Sequence, residues 1–200
     1  YLLGVVSLVS GILSSRLANV PLMVEDSTEH HVSATAALRQ MNLDVQMTAR
    51  EIVGSRAFRF LWLTWALQGS TGVAMVSLST AYGISKNYPV ESAVMILVAF
   101  NLASGAMRLI SGMLSDYVGR NLTMSVSFTL CGMACIGLIN SNNLGWMCLF
   151  SAFIGFAFAT LFTVSAPLIT DCFGIQNFGA VFGLVFTAYG FFSGPLGPVL

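Results

Sequence analysis

From Asn121 to Thr170 the chain runs 50 residues without an aspartate, glutamate, lysine or arginine. A soluble domain covers its core with charge on about one residue in four, so such a stretch cannot supply a wet surface. A helix crossing ~30 Å of hydrocarbon at ~1.5 Å per residue takes about 20 apolar residues, and the run therefore holds two crossings. Asn140-Ser141-Asn142-Asn143 divides it and reads as a tight turn. The same rule marks spans at 60–85 (26 uncharged residues), 92–115 (24 residues with one charge, Arg108) and 172–200 (29 uncharged residues). Five spans are predicted, with Tyr1 to Ser15 as the tail of an earlier one. In lipid every backbone group is satisfied within the segment, so the fold class is all-α: a polytopic membrane helical bundle.

Hydrophobic residues make up 56% of the chain and charged residues 8%, and the mean hydropathy is +0.83. The net charge is zero, which gives no basic field for nucleic acid. Cys131 and Cys135 lie four apart on one helix face, but no histidine or carboxylate is near them in sequence, so packing is the expected role. Glu25, Asp26, Glu29, His30 and His31 match no metal-ligand spacing and read as a solvated loop. No metal and no cofactor is implied. An enzyme is not expected either: no histidine lies in any span, and the acids from Ser92 onwards, Asp116 and Asp171, sit at span edges.

Arg16 to Arg59 carries ten of the sixteen formal charges. It reads as a linker (16–59) between the end of a preceding helix (1–15) and a five-span domain (60–200) whose last span is cut short. Thr48-Ala49-Arg50-Glu51 fits a capping box that opens a short amphipathic helix. Arg16, Arg39, Arg50, Arg56 and Arg59 precede the first full span and Arg120 follows the second, whereas the turn at Lys86 has one base and the turn at 140–143 none. The positive-inside rule places the linker, the Arg120 turn and the Asp171 turn in the cytoplasm. Gly179/Gly183, Gly190/Gly194 and Ser151/Gly155 have the spacing that lets helix backbones approach closely, and Gly190, Pro195, Gly197 and Pro198 mark a bend or break.

The turn after the second span reads Gly112-Met113-Leu114-Ser115-Asp116-Tyr117-Val118-Gly119-Arg120. Gly112 permits close helix contact and Gly119 a sharp reversal, while Asp116 either pairs with Arg120 four residues on or faces the N-terminus of a neighbouring helix. This segment resembles the G-x-L-[AS]-D-x-x-G-R signature of the major facilitator superfamily. The resemblance implies a gating role for Gly112, Asp116, Gly119 and Arg120, and equates the chain with the end of helix 6 plus helices 7–11. The N-terminal helices of the same protein are then a partner, alongside the lipid bilayer.

Three further segments are similar to the oxalate/formate antiporter family and the monocarboxylate transporters: Arg50 to Gly72 with Trp62 and Trp65, Phe100-Asn101 through Arg108 to Gly112, and Asp171 to Ala188. Arg108 lies eight residues before Asp116, roughly 12 Å along a helix, and an arginine that deep faces either a wet cavity or a partner, or snorkels to the edge. Its planar fork suits a carboxylate. In the resembling families an arginine at this position, four before the helix-8 glycine, binds the substrate carboxylate. Where oxalate exchangers carry a lysine in helix 11, this chain has Tyr189, whose hydroxyl supplies one hydrogen bond. A monoanion is therefore expected over oxalate. Tyr82, Asn101 and Gln68 are either cavity groups or packing groups. The function implied is alternating-access transport of a small organic anion. The alternatives are a carrier of another small solute, or a transporter-shaped sensor or scaffold that has lost transport.

Overall fold

The computed structural model describes residues 2–17 and 49–196. The capping residue Thr48, the acid-histidine group at 25–31 and the end of the bend segment, Gly197 and Pro198, lie outside them. Among these residues seven α-helices carry the architecture: α1 Leu2–Leu17, α2 Ala49–Gly54, α3 Arg56–Ser85, α4 Val90–Val118, α5 Arg120–Asn140, α6 Leu144–Phe173 and α7 Phe178–Ala188. A 3₁₀ turn, Ile175–Asn177, leads into α7, and a π segment, Tyr189–Ser193, continues it to a last short helix, Gly194–Leu196. The bend expected around Gly190 is thus a π widening, a form that interrupts the regular ladder without ending the helix.

Helices α4, α5, α6 and the stretch Ile175–Ser193 are each long and apolar enough to cross a bilayer. The fifth predicted span, α3, is 30 residues long but is not apolar enough to join them. Position explains its polarity, because α3 packs against α1, α4, α6, α7 and the π segment and so meets protein rather than lipid on most sides. It also starts earlier than expected, at Arg56 instead of Phe60. Ser55 caps it, its hydroxyl accepting from the Phe58 N–H at 3.2 Å, so Arg56 and Arg59 belong to the helix and not to the linker.

Polar groups on α3 are satisfied inside the bundle, as hydrocarbon surroundings demand. Trp65, fully buried, donates its indole N–H to Ser165 Oγ at 2.9 Å. Gln68 Oε1 accepts from the Ser7 and Ser10 hydroxyls (3.0 and 3.1 Å), and its amide donates to Cys131 Sγ at 3.3 Å. Gln68 is therefore a packing group that ties α1, α3 and α5 together. Tyr82 is another, its hydroxyl bonding the Leu138 and Ile139 carbonyls, each at 3.2 Å. Asn101 is exposed and bonds its own helix at Leu97.

Small residues behave unequally. On α6, Ser151 donates to the Ile96 carbonyl at 2.8 Å, and a Cβ on Gly155 would collide with the Phe100 carbonyl oxygen, so this pair seats α6 against α4. Gly179, Gly183, Gly190 and Gly194 depart from the expectation: a Cβ on any of them meets nothing within 4 Å. Their spacing permits close approach, but the face they occupy is turned away from the described helices.

Candidate functional site: the Arg108 surface and the motif turn

Helix order fixes which turns share an end of the bundle. At one end Lys86 Nζ donates to Asn142 Oδ1 at 3.0 Å and the Tyr88 hydroxyl to the Asn142 carbonyl at 2.6 Å, joining the α3–α4 and α5–α6 turns. At the other end Arg120 Nη1 donates to Asp171 Oδ2 and to the Pro167 carbonyl, joining the α4–α5 turn to the end of α6. Arg120 and Asp171 are the two charges that bracket the 50-residue uncharged run, and a hairpin of two spans returns them to the same side.

This pairing removes one of the two readings of Asp116. Arg120 does not pair with Asp116 four residues earlier; Gly119, at φ +99°, separates the two helices. The reversal swings Arg120 onto α5, towards α6 and away from the end of α4. Asp116 stays exposed at the rim of a cleft of about 510 Å³, which Ser115, Gly119, Asn121, Leu168 and Asp171 also line. Gly112 makes ordinary contact, a Cβ there lying 3.4 Å from Thr163 on α6, so of the two motif glycines Gly119 carries the stricter backbone requirement.

Arg108 stands four residues from the midpoint of α4, about 6 Å along its axis towards the motif end. Its guanidinium carbon lies 5.7 Å from the centroid of the Phe162 ring on α6. Tyr189 meets the same ring edge-on, centroids 5.7 Å apart. The two candidate residues thus flank one aromatic ring, on helices 81 positions apart in sequence. Around them Phe158, Phe186 and Trp65 also pack against Tyr189, at 6.5, 5.6 and 6.4 Å. Among the described residues no carboxylate pairs with Arg108, and neither its guanidinium nor the Tyr189 hydroxyl makes a hydrogen bond through its side chain. Among the same residues no cluster of histidine, cysteine and acid could hold a metal ion.

A family model described as the Major Facilitator Superfamily matches residues 1–198. The chain belongs to that superfamily. No curated protein and no solved structure matches it. In this major facilitator bundle two participants were missed from sequence. The sequence sets Asp171 at the end of an uncharged run but gives no sign of its partner Arg120. The aromatic surface was missed altogether, although Phe158/Phe162 and Phe182/Phe186 repeat at the four-residue spacing of one helix face.

Proposed function

We infer that this major facilitator chain forms half of a secondary carrier for small organic monoanions of the monocarboxylate or formate type. The observation that carries the reading is the exposed Arg108 with its guanidinium carbon over the Phe162 ring, 5.7 Å from the centroid, its charge unpaired by any described carboxylate and Tyr189 beside the same ring. An aromatic face attracts the cation without consuming its N–H donors, so the fork remains free for a carboxylate. The surrounding phenylalanines suit the hydrocarbon part of such an anion, and a single cation suits one carboxylate better than two. Alternating access follows from the superfamily plan, with the two halves rocking about a site near the midplane.

The test is uptake into proteoliposomes holding the full-length protein, measured against formate, lactate, longer monocarboxylates, oxalate and neutral or cationic solutes. Saturable uptake of monocarboxylates with weak competition by oxalate is expected. Saturable uptake of neutral or cationic solutes alone overturns the reading, and no uptake of any solute favours a sensor.

A further inference from the structure

A second cationic site lies away from Arg108, near the end of the bundle that carries Arg120 and Asp171. Where α3 begins, an open groove of about 500 Å³ runs between α3 and α7, lined by Phe58, Arg59, Trp62, Leu63, Leu184 and Thr187. Val53 of α2 also lines it. Two of its polar groups satisfy each other, the Trp62 indole N–H donating to the exposed Thr187 Oγ1 at 3.2 Å, and apart from Arg59 the other lining side chains are hydrocarbon. Leu63 and Val53 are 41% and 45% exposed, too apolar an opening for water to be its natural filling.

Charge at the mouth is one-sided. Residues 49–59 carry Arg50, Arg56 and Arg59 against Glu51 alone, and all four are exposed. Arg56 and Arg59, three apart, share one face of the first turns of α3, and neither pairs with a carboxylate among the described residues. A guanidinium fork at the edge of the slab, above an apolar groove and beside an indole, is complementary to a phosphate carrying a hydrocarbon chain.

We propose that this groove binds an anionic phospholipid of the adjoining leaflet, its phosphate on Arg59 and Arg56 and one acyl chain along Leu63 and Leu184. A short soluble carboxylate finds only hydrocarbon beneath the arginine there, whereas a lipid satisfies both halves of the groove. The site is independent of the carrier reading: it stands or falls whether or not Arg108 binds a substrate.

Trp62 makes the site directly readable. The full-length protein is placed in vesicles in which either phosphatidylglycerol or phosphatidylcholine carries brominated chains, and the quenching assigned to Trp62 is the difference between the protein and its Trp62→Phe variant. Brominated phosphatidylglycerol is expected to quench at several-fold lower mole fraction than brominated phosphatidylcholine, on the order of fivefold for each arginine engaged. Arg56→Gln with Arg59→Gln, both exposed positions, should bring the two lipids to parity. Leu184→Trp, which fills the groove, should abolish the preference with both arginines in place. Equal quenching by both lipids in the unmodified protein overturns the proposal. So does a preference that survives the double variant, and so does displacement of the lipid by millimolar short-chain carboxylate, which makes the groove a substrate station instead.

Discussion

In the proposed carrier Arg108 supplies the charge, Phe162 a ring face beside it and Tyr189 a hydroxyl next to the same ring. An arginine at the centre of a span costs roughly 2.5–3.5 kcal/mol on insertion scales, and an aromatic face offsets about 0.5–2 kcal/mol of such a cost while fixing where a guanidinium sits. Phe162→Leu is therefore expected to raise the KM for the transported anion by roughly three- to tenfold with little change in protein amount, and Phe162→Trp to restore it. Transport kinetics of the two variants check this, and an unchanged KM in Phe162→Leu removes the ring from the site. Arg120 shows how much of a residue's role is visible in its neighbours along the chain. Its charge, its motif and its place at the membrane edge were all legible, yet its partner lay 51 positions away on α6. The nearer candidate, Asp116, was excluded by the backbone turn at Gly119. The Arg120 and Asp171 side chains are 28% and 34% exposed, so solvent screens the pair, and a double-mutant cycle on thermal unfolding should return a coupling of about 0.5–1 kcal/mol.

The long helices of the bundle could be placed from the chain, because an uncharged run of sufficient length is its own argument, although α3 begins at Arg56, four residues before its run. Contacts between helices could not. Gly155 and Gly183 look alike in sequence, but one lies under the Phe100 carbonyl and the other faces open space. Spacing shows that close approach is possible without showing which face has a neighbour. The difference is measurable: Gly155→Val should cost about 1–3 kcal/mol by overpacking, lowering the unfolding temperature of detergent-purified protein by several degrees. Gly179→Ala and Gly183→Ala should leave that temperature unchanged. The polarity of α3 is the same lesson in reverse. Thr64, Gln68, Ser70 and Thr71, all buried, weaken its apolar signal because its surroundings are other helices.

At the scale of the molecule, two polar latches tie turns together at opposite ends of the bundle: Lys86 and Tyr88 with Asn142 at one end, Arg120 with Asp171 at the other. Asn142→Cys and Gln176→Cys in a cysteine-free background should react with a membrane-impermeant maleimide from opposite sides, and labelling of both from one side contradicts the hairpin order. This alternation was readable from the lengths of the uncharged runs and the polar turns between them, although no lysine or arginine follows Arg120; the way the spans close around an aromatic surface was not, since aromatic residues serve lipid, core and cavity alike. The account as a whole rests on Arg108 as the binding group for a carboxylate. Its most direct test is monocarboxylate uptake by proteoliposomes of full-length protein carrying Arg108→Gln, compared with Arg108→Lys and the unmodified protein. Loss of the charge-assisted fork should lower uptake at subsaturating substrate by about a hundredfold in Arg108→Gln, with part of the activity retained in Arg108→Lys. Uptake by Arg108→Gln at the unmodified rate and KM contradicts the account.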